Sequence, residues 1–236
     1  TQTDARGQAV IDLPASLSES GSSQQFTFEA NLTDLAGTAV SNRTSVIVHQ
    51  SSVYAGVRPQ SYVGSTNEEQ SFEIVAVDWD AELVAGQMVD VSIVERRWNS
   101  VQKQNPDGSI EWESSVEEIP VTSFDAIQTD DNGRTSVSFT PPNGGIFKAI
   151  VTTHDSTGNT ARAAAYMWVT SGDYIAWRQS NDQRLDLITD KDEYTPGEQA
   201  EVLIASPFQG EAYALVTVER DHIRSQEVIL LKSNST

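Results

Sequence analysis

Asp and Asn side chains gather at four places in this chain: Asp78-Trp79-Asp80, Asp130-Asp131-Asn132-Gly133, 155–159 and Asp190-Lys191-Asp192. Several carboxylates on one loop are the raw material of a calcium site, which takes about six to eight oxygen ligands. No stretch fits an EF-hand loop, and Asp-Asn-Gly is also what a tight hairpin uses where the backbone needs positive φ. The turn reading is the plainer one. The three histidines, His49, His154 and His222, stand in no HExxH or HxH spacing and read as ordinary sandwich histidines. With no cysteine there is no thiol nucleophile, disulfide or Cys-ligated metal. GxSxG, GxGxxG and GxxxxGK[ST] are all absent, so neither a serine elbow nor a phosphate cradle is indicated. The expected site is therefore empty of chemistry: no catalytic residue, no cofactor-binding residue, no metal ligand and no enzyme.

Five tryptophans raise the alternative of carbohydrate stacking. Trp79, Trp98, Trp168 and Trp177 fall on predicted strands or junctions, where burial is expected. Trp112 lies in a polar stretch and is the candidate exposed platform. Asn31-Leu32-Thr33, Asn42-Arg43-Thr44 and Asn234-Ser235-Thr236 are sequons, which matter only in a glycosylating secretory pathway.

The elements that would carry these residues are strands. Hardly any segment shows a 3.6-residue apolar period. Short alternating runs rich in β-branched residues recur instead at 8–13, 25–32, 44–48, 72–77, 89–94, 135–139 and 147–153, then at 164–169, 185–188, 200–205, 212–218 and 227–231. Gly, Pro, Asn or Asp separate them, which predicts an all-β chain of antiparallel sandwiches. The longest polar insert, 102–115, contains Asn105-Pro106-Asp107-Gly108 and reads as a hairpin excursion. The segments 53–59 and 171–180 read as short linkers.

The chain's 236 residues suffice for one or two domains with a real core, and 38% hydrophobic residues argue against disorder. No apolar run approaches the roughly 20 residues that span a bilayer. Opening on Thr1, without Met, basic leader or apolar h-region, the chain reads as an excised piece. Asp and Glu total 34 against 15 Lys and Arg, a net charge of −19. Such a surface repels phosphate backbones and anionic lipid, so neither nucleic acid nor membrane insertion is expected.

Two internal repeats organise the chain. "QTDARG" at 2–7 matches "QTDDNG" at 128–133, and Phe26, Asp34 and Gly37 keep a constant offset from Phe147, Asp155 and Gly158. In the other direction "VERRW" at 94–98 echoes "VERDH" at 218–222. These matches predict a complete unit at 58–178, the closing part of another at 1–57 and the opening part of a third at 179–236. Trp177, at a junction, is expected either to bury against the next domain or to cap its own core.

The stretch 185–223 carries a further pattern: Asp190-Lys191, Tyr194, Pro196-Gly197-Glu198, Ser206-Pro207-Phe208 and a Leu215 to Arg220 strand. It resembles the start of the bait-region domain of bacterial alpha-2-macroglobulins, and the preceding segment resembles their macroglobulin-like domain. The resemblance covers nearly the whole chain. It implies tandem macroglobulin-like β-sandwiches, Ig-like or fibronectin-III-like, the first and last incomplete. It also implies a non-catalytic scaffold within an extracytoplasmic protein (periplasmic, cell-surface or secreted) that traps endopeptidases. The partners would then be endopeptidases, met through other parts of the parent, and neighbouring macroglobulin-like domains. Neither a Cys-x-x-Gln thioester motif nor a recognisable bait loop occurs here, so no functional residue is carried over. The alternative is an Ig-like repeat stalk of a bacterial surface adhesin.

Overall fold

Side chains that alternate in and out can bury one face of a strand only against a second sheet. The computed structural model describes residues 4–17, 21–33, 36–182 and 184–235. Its strands are β1 (Gln24–Thr33), β2 (Ala39–Val48), β3 (Val53–Pro59), β4 (Val63–Ser65), β5 (Gln70–Asp78), β6 (Met88–Gln104) and β7 (Ile110–Gln128). After them come β8 (Arg134–Phe139), β9 (Gly145–His154), β10 (Thr160–Thr170), β11 (Asp186–Thr189), β12 (Val202–Ala205), β13 (Ala212–Glu219) and β14 (Ile223–Leu231). There is no helix among the described residues, hence none long and apolar enough to cross a membrane.

A three-stranded sheet, β3-β5-β8, faces a five-stranded one, β4-β10-β9-β6-β7. Neighbours are antiparallel except β4, which runs parallel to β10. Phe72, Ile74, Val137 and Phe139 of the small sheet pack into one cluster with Val91, Ile93, Phe147, Val151, Met167 and Val169 of the large one. Phe139 touches both sheets, its ring 6.1 Å from that of Phe72 and 5.5 Å from that of Phe147. Each ring buried this way contributes about 1.5–3 kcal/mol from its area alone. The all-β sandwich is the predicted fold class. Flanking it, β1–β2, β11–β12 and β13–β14 each form a two-stranded sheet.

Three expectations are corrected. The segment expected as a linker at 53–59 is β3, paired with β5 from Val53↔Asp78 to Pro59↔Phe72. Gly56 and Pro59 disguised it, yet Pro is tolerated at the end of an edge strand, and Ala55 and Val57 pack against the core. The unit boundary expected after residue 57 therefore falls inside this strand. Second, the alternating run at 8–13 is not a strand: Val10, Ile11 and Leu13 are exposed, and alternation without a pairing edge fixes nothing. Third, "VERRW" lies mid-strand in β6, whereas "VERDH" ends β13 and enters the turn where Arg220 N–H bonds His222 O at 3.2 Å. The polar insert at 102–115 is the hairpin excursion expected, but longer: β6 and β7 stay paired past the sandwich from Trp98↔Val116 to Gln104↔Ile110.

The first repeat is a turn of fixed chemistry. Asp130 N–H bonds Arg134 O at 2.7 Å and Gly133 N–H bonds Asp130 O at 3.0 Å. The Asp130 carboxylate accepts the N–H groups of Asn132 and Arg134, both at 2.8 Å. The same four bonds recur at Asp4–Gln8, Asp78–Glu82 and Asp155–Asn159. Asp34 lies outside the described residues, but Gly37 and Gly158 share a φ of 85°. The fourth position must be left-handed, which favours glycine.

At Asp78–Glu82 that position is Ala81, with φ 64°. A left-handed alanine costs about 1–2 kcal/mol against roughly 0.5–1 for glycine's extra chain entropy. Ala81→Gly should therefore leave stability unchanged or raise it by up to about 1 kcal/mol. Gly133→Ala should lower it by more than about 1 kcal/mol, because its Cβ would also meet Ala76 O and Val84 O at 3.0 Å. Urea midpoints followed by circular dichroism measure both; equal signs would refute the assignment.

Candidate functional site

The structure does not gather the predicted polar residues into one pocket. The nearest described groups of His, Asp and Glu nowhere form a set of three able to hold a metal. Each acidic cluster has a carboxylate already engaged within the chain: Asp78, Asp130 and Asp155 close turns, while Asp190 accepts Tyr194 Oη at 2.5 Å and Glu201 N–H at 2.9 Å. Tyr194 holds the Asp190 carboxyl below the usual carboxylate range, and the same bond raises its own phenol. His49 Nδ1 lies 3.0 Å from Tyr54 Oη, and His154 Nδ1 3.0 Å from Thr160 Oγ1.

Two tryptophan expectations are reversed. Trp79 is exposed, because it occupies the second position of a turn and has no sheet face to join; its ring lies 5.4 Å from His49. Trp112 is half-buried in the β6–β7 arm. Of the sequons, Asn31 and Asn42 are exposed on β1 and β2, but Asn234 is only 4% exposed and its amide bonds the main chain of Ile175.

What the fold does assemble are two junctions. At the first, the segment between β2 and β3 is gripped by the β9–β10 turn. Asp155 Oδ2 accepts Ser52 N–H at 3.0 Å and Asn159 Nδ2 at 3.0 Å, while Oδ1 accepts Thr157 N–H at 2.9 Å and Thr157 Oγ1 at 2.7 Å. These donors, Ser52 N–H first among them, hold the carboxyl far below its ordinary range. Gln50 Nε2 reaches Thr160 O, and Ser23 Oγ links Gln50 N–H to Tyr54 Oη at 3.0 and 2.7 Å.

The second junction is the linker 171–181, laid across the large sheet's outer face. Ile175 and Trp177 join a buried cluster with Leu203 and Ala205, against which Val63, Ile146, Trp168 and Ile188 pack. Gly144 leaves room for this seat, since a Cβ there would stand 2.5 Å from Ile175 Cδ1 and displace that side chain. Farther along, Arg178 stacks on Trp98 at 5.4 Å, and Trp98 on Arg96 at 5.2 Å. Gln179 N–H bonds Ser100 Oγ at 3.1 Å and Ser114 Oγ bonds Gln179 O at 2.7 Å. Asn181 Oδ1 accepts Trp112 N–H at 2.6 Å and its Nδ2 donates to Trp112 O at 3.0 Å. Tyr62 adds a tether, its N–H to Asp190 O at 2.9 Å and its Oη to Asp192 Oδ2 at 2.7 Å.

Two family models match in succession on either side of this linker: bacterial macroglobulin domain 6 at residues 56–167 and the alpha-2-macroglobulin bait region domain at 185–236. The chain belongs to the bacterial alpha-2-macroglobulin family. An alpha-2-macroglobulin homolog of a Nostoc species is 25% identical over 76% of this chain and 9% of its own length. The alpha-2-macroglobulin of Pasteurella multocida is 23% identical over 99% of the chain and 12% of its own. The chain thus spans about a tenth of the length of these relatives. A cryo-EM reconstruction of the native conformation of E. coli alpha-2-macroglobulin matches in fold, with a TM-score of 0.51 and 18% identity over 98% of this chain and 15% of that one.

For this alpha-2-macroglobulin segment the sequence pointed to Trp177 as a junction residue, and it lies in the cluster shared with β12. Asn181 and Asn234 were missed as junction residues; the first follows the expected linker in a polar stretch and the second was visible only as a sequon, and neither betrays a backbone partner.

Asp155 has a lowered pKa when folded, so its stabilisation is fully present above the ordinary carboxylate value of about 3.9 and is lost as pH falls below it. The thermal midpoint of Asp155→Asn should lie below wild type by a constant gap above about pH 5, and the gap should narrow below about pH 4. A gap independent of pH would rule out the carboxylate as the grip.

Proposed function

We propose that this chain is a non-catalytic scaffold segment of an extracytoplasmic protein that traps endopeptidases. The carrying observation is the succession of a macroglobulin model and a bait-region model across one clamped linker. In this reading the sandwich of β3 to β10 is the macroglobulin-like domain, and the residues on either side belong to its neighbours. The endopeptidase meets other parts of the parent, while this segment fixes where two domains stand relative to each other. Clamped backbone, rather than a reactive group, is what such a part has to supply.

The full-length parent, mixed with an elastase-like protease, should slow hydrolysis of a protein substrate at near-stoichiometric ratio. The 236-residue chain alone should leave that rate unchanged. Inhibition by the isolated chain would move the functional element inside it; no inhibition by the parent would remove the trapping role.

A further inference from the structure

Asn234 is tied into the second junction through both its side chain and its main chain. Its Oδ1 accepts Ile175 N–H at 3.1 Å and its Nδ2 donates to Ile175 O at 2.6 Å. Its own carbonyl accepts Trp177 Nε1 at 2.6 Å and Ser206 N–H at 3.0 Å. Beside it Ser235 Oγ donates to Ser171 O at 3.0 Å, and Ser235 bridges Ala205. One buried residue thus joins three stretches of chain: the linker, the end of β12 and the segment following β14.

We propose that Asn234 is a latch, so that the segment after β14 and the linker 171–181 are held or released together. Two sets of contacts hold the linker, and they differ in kind. Those at Ile175 and Trp177 are buried, and a buried amide or indole N–H left without a partner is costly. Those at Gln179 and Asn181 are partly or fully open to solvent, where water competes for every bond. The outer contacts form because the anchored part keeps 179–181 beside the β6–β7 arm, an intramolecular concentration effect. Drawing residues 232–235 away from β12 unseats Trp177 and removes that anchor. The outer contacts then open as well, and the two domains lose their fixed pairing in one step. The coupling is reciprocal in free energy, but the exposed outer bonds contribute too little to unseat the buried anchor, so loosening Asn181 leaves Trp177 seated.

This goes beyond the scaffold reading, and its failure would leave that reading intact, because the latch is read from the chain's own linker and not from protease inhibition. In the full 236-residue chain, Asn234→Ala should speed tryptic cleavage after Arg178 about tenfold or more and shift tryptophan emission to the red. Asn181→Ala should change that cleavage by less than about threefold and leave emission as in wild type. Asn234→Asp should resemble Asn234→Ala at neutral pH, where the carboxylate cannot donate to Ile175 O. Below about pH 4 the protonated acid again offers one donor and one acceptor, and wild-type emission should return, with the wild-type chain at the same pH as control. Three outcomes overturn the latch: Asn234→Ala cut at the wild-type rate, Asn181→Ala alone releasing Trp177, or no recovery of Asn234→Asp in acid. Should Asn234→Ala fail to fold by circular dichroism, the acid recovery of Asn234→Asp decides.

Discussion

A backbone that leaves a sheet carries its N–H and C=O groups with it, and each one buried without a partner costs about 1–3 kcal/mol. Short Asp and Asn side chains meet that demand here, and the choice between them follows the chemistry. Where two N–H groups converge, as at Asn132 and Arg134, the partner is a carboxylate, one of whose oxygens, Asp130 Oδ1, accepts both. Where one N–H and one C=O converge, as at Ile175 and Trp112, it is an amide with one donor and one acceptor. Asn234 and Asn181 in effect build single rungs of an antiparallel ladder from side chains. Asp155 does two tasks, closing its turn with one oxygen and gripping Ser52 with the other. Exposed ion pairs such as Arg58–Glu73 are screened by solvent and decide little beside this.

The acidic excess of the chain takes on another aspect in that light. Its four clusters are candidate cation sites that read more plainly as turns, and the described carboxylates do fix register and join segments. The proposed role of fixing neighbouring domains needs defined angles between sandwiches. Apolar contact alone, being non-directional, sets such angles poorly. The second junction combines both: Trp177 supplies buried area, and Asn234 supplies direction.

Strands whose alternation met a partner sheet were legible from residue types, as was the turn at Asp130, since an Asp with a glycine three residues on suits its left-handed position. What escaped depended on tertiary context. Nothing local separates the run at 8–13, which stays unpaired, from 25–32, which pairs. β3 was hidden by Gly56 and Pro59, whose meaning reverses once the strand lies at an edge. β4 is three residues long, below what any period can register. Of the junctions, an indole at the right place was visible, but the amides that orient it were not, because their partners are main-chain groups distant in sequence.

The parallel pairing of β4 with β10 has a consequence for how the protein is made. Val63 finds its sheet partner only at Trp168, and β10 also lies against β3. A ribosome delivers the chain from its N-terminus, and domains complete when their last strand arrives. The β6–β7 hairpin closes over a short turn and forms early, whereas the pairing that seals the edge of the large sheet spans nearly the whole domain. Until Trp168 emerges, a nascent chain shows an open sheet edge and an uncovered Phe72 face at once, the combination that invites wrong pairings. The sandwich therefore has a vulnerable interval during synthesis, and its length is set by the distance from β4 to β10.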